Sequence, residues 1–441
     1  MYSKDLQEMF DAEHIKPGDI IKIEWQGNVL EGALMPKSEA GSEDTIILKL
    51  KNGYNIGVNY HNIKLKKISS KKLNKFPFSN YIPNPELPNI SIIWTGGTIG
   101  SKIDYIISGV SMTVKPEELL YYIPELAKIA NINIIPLFSI SSEDMTFIEW
   151  QKISEEVIKA LNNGSRGIVI THGTDTMHYT ASALAFMLQN LNAPIVLTGS
   201  QRSSDRGSSD AFFNLISAVR FAANSDIAEV GICMHSNSSD DEMLFIRGVK
   251  ARKMHTSRRD AFRAINDKPI ASITKDGNIK YLSSYKKILD IKEVAVAKTG
   301  FEPIVLIKVH PNSDPEIIDY YMQKGIRGFI IEGTGLGHTP VSVEHEGFSW
   351  LPYIKNAVAN GVVVGMTSQC LYGRVNENVY KNLRILKNAG VIFCEDMLPE
   401  TAYVKLGWLL ANYNVEKAKE MLKKNLVGEI KNRTIYDEFL I

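Results

Sequence analysis

Cysteine is scarce, with only Cys233, Cys370 and Cys394 in 441 residues. An odd count rules out a full disulfide framework. Each cysteine lies in or beside an apolar strand pattern, so buried, reduced thiols in a reducing compartment are expected. Surplus charge is also missing. A formal net charge of +1 gives no bulk field to draw the chain onto nucleic acid or membrane, and any RNA contact is then local or belongs to a partner. No apolar run approaches the ~20 residues of a membrane span. The opening Met1-Tyr2-Ser3-Lys4-Asp5 has no apolar core of the kind a signal peptide needs. A cytoplasmic protein without membrane attachment is the expectation.

Several chemical signatures are absent too. A Walker loop needs Gly-Lys-Ser/Thr, but the chain has Gly100-Ser101-Lys102, and no G-x-G-x-x-G opens a helix. The glycine-rich Glu332–His338 stretch runs into Pro340 rather than a helix, so a ligand-facing or subunit-facing loop is the better reading. No G-x-S-x-G elbow occurs, Gly199-Ser200 being the nearest approach, and none of the cysteines sits at a glycine-flanked turn. There is no H-E-x-x-H. His345 between Glu344 and Glu346 reads as a surface charge cluster, and no metal site is expected.

What is present divides the chain. Residues 1–75 carry short alternating runs at Ile15–Ile23, Val29–Pro36, Thr45–Leu50 and Tyr54–Val58, with Lys51-Asn52-Gly53 as a hairpin signal. They predict a small SH3-like β-barrel used for docking. The basic Lys64–Lys67 and Lys71–Lys75 read as a solvated linker in preference to an RNA-contacting strip. Residues 76–89, rich in proline, form a connector.

From there strands and helices alternate. Apolar strands near 90–94, 132–137, 167–170, 194–198 and 229–234 are separated by helical patterns near 115–129, 147–162, 178–191 and 208–223. That alternation predicts an α/β fold with a doubly wound, mainly parallel sheet over 90–285. A polar, lysine-rich crossover spans 275–300. A smaller α/β domain follows over 300–441, with strands near 304–309, 328–332, 361–366 and 391–394 and helices near 314–324, 350–359, 376–388 and 399–412.

Two strand ends carry the chemistry. Gly167-Ile168-Val169-Ile170-Thr171 runs into His172-Gly173-Thr174-Asp175-Thr176-Met177, placing a hydroxyl and a carboxylate at the carboxyl end of a parallel strand beside a helix N-terminus, where ligands gather. As an N-cap pair, Thr174 and Asp175 would have no catalytic part. Ile92-Ile93-Trp94 similarly runs into Thr95-Gly96-Gly97-Thr98, which supplies a second hydroxyl beside paired glycines. A threonine hydroxyl needs an activating base, and a desolvated lysine held by an aspartate can serve. Lys250 and Lys253, in the charged run Arg247–Thr256, are equal candidates by spacing.

Thr95-Gly96-Gly97-Thr98-Ile99 and His172-Gly173-Thr174-Asp175-Thr176-Met177 resemble, in order and separation, the two signature segments of bacterial-type L-asparaginases. Gly199-Ser200-Gln201-Arg202 and Phe213-Asn214-Leu215 fall where that family has a similar loop and helix. The resemblance implies Thr98 as nucleophile, Thr174 as second essential threonine, and Asp175 with Lys253 as its partners. It implies Tyr105 on a lid, and Ser142 and Gly173 at the substrate, with Asp175 on the α-ammonium. Glu143 stands where the family often has glutamine, which leaves asparagine and glutamine both open as substrates.

The barrel, its Asn52–Gly57 stretch and the late Asp396-Met397-Leu398-Pro399-Glu400-Thr401-Ala402 are similar to the D subunits of archaeal glutamyl-tRNA(Gln) amidotransferases. That likeness implies glutamine hydrolysis for ammonia, a homodimer, and a partner E subunit. ATP, magnesium and most contacts to glutamyl-tRNA(Gln) then belong to that partner, and this chain holds no cofactor. A stand-alone asparaginase/glutaminase with an accessory barrel is the alternative, and a non-catalytic tRNA-binding scaffold is a third reading.

Overall fold

The computed structural model describes residues 2–25, 27–35, 42–50, 55–69, 83–97, 99, 101–103, 110–112, 123–202, 209–288, 295–342 and 346–434. Alternating apolar side chains in its first part build a five-stranded antiparallel, barrel-like sheet. Its order is Asn55–Asn59, Thr45–Leu50, Asn28–Leu34, Ile20–Trp25, Lys64–Ser69. Ile21, Ile23, Leu34, Ile46, Leu48 and Val58 form its core. A helix, Lys4–Ala12, adds Leu6 and Phe10 to that core. It has no counterpart in the sequence reading, where its apolar positions are too few to register.

The expected hairpin turn at 51–53 lies outside the described residues, although the strands on either side of it pair antiparallel. Lys64–Lys67 is not a linker. It belongs to the edge strand Lys64–Ser69, with Leu65 packed inward and Lys67 2.7 Å from Asp19. Lysines on an edge strand discourage pairing with another chain, and that role mimics a solvated tether in sequence. Lys71–Lys75 lie outside the described residues.

The main sheet has eight strands in the order Ile279–Tyr281, Ala271–Thr274, Glu242–Arg247, Val230–His235, Ile195–Thr198, Gly167–Thr171, Asn89–Gly96, Asn131–Ile140. The last five are mutually parallel, and the first three form an antiparallel edge. The central strands are buried on both faces, as helix-covered parallel strands must be. Helices Phe147–Asn162, Met177–Met187 and Ala211–Asn224 pack on them.

The antiparallel edge escapes the sequence reading because Glu242–Arg247 begins inside what looks, in sequence, like an acidic turn. Part of the expected crossover is structured as well: Ile279–Tyr281 joins this sheet, and Val296–Ala297 pairs with Leu188–Gln189, where the helix expected to reach Leu191 has already ended. Of the expected 115–129 helix, the described part is a 3-10 segment, Pro124–Lys128.

The second domain is a four-stranded parallel sheet, Val305–Lys308, Gly328–Gly333, Val363–Ser368, Ile392–Phe393. Helices Ile317–Gln323, Leu351–Ala359, Lys381–Asn388, Pro399–Asn412 and Val415–Leu422 cover it. Pro399–Asn412 also packs on Met177–Met187 of the first domain, and one apolar cluster spans both domains. Cys233 and Cys394 are buried in strands or beside them, but Cys370 is exposed, in the turn that follows Val363–Ser368. Among the described residues no helix is long and apolar enough to cross a membrane.

Candidate active site

Because Gly167–Thr171 and Asn89–Gly96 are parallel neighbours, both threonine-bearing loops leave the same edge of the sheet. The buried Thr95 hydroxyl donates to the Thr171 carbonyl at 2.6 Å and ties the two strand ends together. The loops then touch. Gly97, at φ +80°, comes so close that a Cβ there would lie 2.5 Å from the Gly173 amide nitrogen. Thr98 itself and Tyr105 lie outside the described residues, as do Glu344 and His345.

Thr174 and Asp175 do not cap the following helix. Thr176 stands at that position, and its hydroxyl donates to the Ser142 carbonyl at 2.6 Å instead. The Thr174 and Asp175 side chains meet Lys253, whose Nζ donates to Thr174 Oγ1 at 2.8 Å and to Asp175 Oδ1 at 2.6 Å. The choice that spacing leaves open is thereby made by geometry. Lys250 points elsewhere and pairs with Asp396 at 2.7 Å.

The Lys253 side chain is 9% exposed and that of Asp175 is 68% exposed, so the lysine is sunk in the wall while the carboxylate looks outward. Ser142 is buried against Gly173, where a Cβ would lie 2.7 Å from Ser142 Cβ. Glu143 follows it on a short 3-10 turn and is exposed. The structure thus gathers Thr174, Asp175, Lys253, Ser142, Gly173 and Glu143 around one edge, together with Gly97.

Neighbours that sequence reading did not assign complete the frame. Gln201 Oε1 lies 3.5 Å from Thr174 Oγ1, and the Gln201 and Arg202 amides donate to the buried Asp210 carboxylate. Asp210 also accepts from Asn214, whose Oδ1 meets His235. The apolar flanks of Phe213-Asn214-Leu215 give no hint of this use.

Behind the loop, Trp150 Nε1 can only donate, so Thr180 Oγ1 accepts from it and gives its own proton to His172 Nε2. That leaves the proton on His172 Nδ1, which donates to the Gly173 carbonyl at 2.6 Å. Burial holds His172 neutral, its pKa lowered to about 4. His178 is pushed down to about 3 by burial, helped by the Arg252 and Lys253 charges. Among the described residues no group of three or more histidine, cysteine or acidic side chains could hold a metal ion.

This sheet, its smaller partner domain and a lysine–aspartate pair on a loop threonine define an asparaginase-type amidohydrolase. The family profile for the N-terminal asparaginase domain matches residues 89–287, and that for the glutaminase/asparaginase C-terminal domain matches 303–422. The L-asparaginase of Thermococcus kodakarensis superposes with a TM-score of 0.67 at 28% identity, over 78% of this chain and 99% of that one. L-asparaginase I of Vibrio cholerae does so with the same score and coverage at 33% identity.

The barrel narrows the class. Residues 15–68 match the GatD N-terminal domain. The glutamyl-tRNA(Gln) amidotransferase D subunit of Pyrococcus furiosus is 50% identical over 99% of this chain and 100% of its own length. Its counterparts in Sulfurisphaera tokodaii and Methanopyrus kandleri are 46% and 42% identical, over 98% and 99% of this chain and 95% and 96% of theirs. The chain belongs to the family of glutamyl-tRNA(Gln) amidotransferase D subunits.

Proposed function

We propose that this chain hydrolyses glutamine and delivers the ammonia to the amidation of glutamyl-tRNA(Gln). The observation that carries the reading is the Lys253 amine bridging the Thr174 hydroxyl and the Asp175 carboxylate, at the edge that Gly97 reaches. Thr98 attacks the side-chain amide carbonyl, forming an Oγ–C bond as the C–N bond breaks. Its proton passes through Thr174 and Lys253 to the leaving ammonia, and water then frees glutamate.

The outward oxygen of Asp175 takes the α-ammonium. Ser142 and Gly173, packed together, receive the α-carboxylate. Tyr105 closes over the substrate, and Glu143 adds an exposed carboxylate beside Ser142. No cofactor or metal enters these steps. ATP, magnesium, the kinase step and most tRNA contacts belong to a partner, the E subunit. The chain pairs with itself as a homodimer, its 333–338 loop serving the neighbouring site. The near-zero net charge supports this division of labour.

Ammonia release from glutamine, with and without the E subunit, ATP and glutamyl-tRNA(Gln), tests the reading. Release should rise about tenfold or more in the full complex, with glutaminyl-tRNA(Gln) as product. Equally vigorous release by the isolated chain, with no transfer to tRNA, would favour the stand-alone asparaginase/glutaminase.

A further inference from the structure

Lys253 ends a three-residue strand, Ala251–Lys253, whose one sheet partner among the described residues is Phe262–Ala264. A two-stranded ribbon is marginal in water and cannot by itself hold an amine 2.8 Å from a hydroxyl. The root of the ribbon, however, is gripped by the second domain. Thr401 Oγ1, buried, donates to the Val249 carbonyl at 3.0 Å and contacts Ser182 Oγ at 3.2 Å. Lys250, fully buried, donates to Asp396 Oδ2 at 2.7 Å and to the Asp396 carbonyl at 3.3 Å. Arg252 pairs with the buried Glu400.

The returning strand is held at the same place. Asn266, at φ +56°, donates to the carbonyls of Gly373 and Asp396, and its Oδ1 accepts from the Gly373 amide. Asp396 Oδ1 accepts the Lys431 amide, so both its oxygens are used. Three members of the 396–402 motif that the proposed chemistry leaves unused thus hold Val249, Lys250 and Arg252 on the approach to Lys253.

We propose that Asp396 and Thr401, acting through Lys250 and Val249, are positioning residues that set the reach of Lys253 to Thr174. The inference rests on Lys253 being the proton carrier in glutamine hydrolysis. A buried ion pair is seldom needed for stability alone, since apolar residues of similar size replace it at little cost. Placement is a stronger demand, because a shift of about 1 Å at a reacting group costs about 100-fold in rate.

The test is steady-state glutamine hydrolysis by the full complex for four variants. Lys253→Met examines the underlying reading and should abolish turnover; full turnover in it would remove that reading. In the double variant Lys250→Met with Asp396→Leu, kcat should fall about tenfold or more while KM stays within about twofold. Thr401→Val should lower kcat about threefold at unchanged KM, and Thr401→Ser, which keeps the hydroxyl, should restore it.

With Lys253→Met inactive, a folded double variant at wild-type kcat would overturn the positioning role. So would a kcat loss matched by an equal rise in KM, or a Thr401→Ser as slow as Thr401→Val. Should the double variant fail to fold, the Thr401 pair decides.

Discussion

At the scale of single residues, the site is defined as much by missing side chains as by present ones. Gly97 is left-handed at φ +80°, and a Cβ on it would meet the Gly173 nitrogen at 2.5 Å and the His172 carbonyl carbon at 2.6 Å, both backbone atoms that cannot step aside. Gly97→Ala should therefore force the first loop off the second. Stability should fall by about 1–3 kcal/mol from strain and overpacking, and ammonia release by about 100-fold or more. Urea unfolding and a glutamine assay on one preparation check both; near-normal activity would mean that the contact is dispensable.

Thr174 and Asp175 were legible because strand, turn and helix are local features of consecutive residues, Gly167 to Met177. By spacing alone Lys253 was legible only as one of two, and the family resemblance had to single it out, because its bond to Thr174 closes across 79 positions. Nothing in the local pattern says which lysine meets which acid. The partner of Lys250, Asp396, is 146 positions away.

At the scale of elements, periodicity located what is buried on both faces and lost what is half-exposed. The five parallel strands are apolar runs and were readable. Lys64–Ser69 interleaves charge with apolar side chains at a sheet edge, and Glu242–Arg247, apolar between charged ends, starts in an acid-rich stretch; such runs read as linker or turn until their partners are known. The helix Lys4–Ala12 was missed for a related reason. Its buried apolar side chains are Leu6 and Phe10, and only the barrel beneath them gives those two a purpose. Phe10 is 2% exposed, so Phe10→Ala should cost the barrel about 3–5 kcal/mol. Hydrogen exchange should then show lost protection in Ile20–Trp25 and Thr45–Leu50, while Gly167–Thr171, which has its own core, keeps its protection. Equal loss in both regions would mean that the barrel and the large sheet unfold as one unit.

At the scale of the whole molecule, the fold has closed over two imidazoles that it must keep neutral. His172 lies under the second threonine loop and His178 in the first turn of the helix after it, with native pKa values of about 4 and about 3 against 6.5 when exposed. Between about pH 6.5 and 4.5 the unfolded chain binds protons at both sites and the native chain at neither, so stability rises with pH across this window and is lost as pH falls. At about 1.4 kcal/mol for each pH unit and each imidazole, the two together withdraw on the order of 5 kcal/mol by about pH 4.5. Ion-paired carboxylates such as Asp260, held low beside Arg258 and Arg263, begin to titrate only near and below the ordinary carboxylate value, so the upper part of the window isolates the histidines. The melting temperature should therefore fall steadily from about pH 6.5 to about pH 5. His178 offers the cleaner variant, because among the described residues its Nδ1 has no hydrogen-bond partner to strand, whereas His172 bridges Thr180 and Gly173. His178→Phe should roughly halve the slope, and a slope unchanged in that variant would assign the acid sensitivity to groups outside the active-site wall.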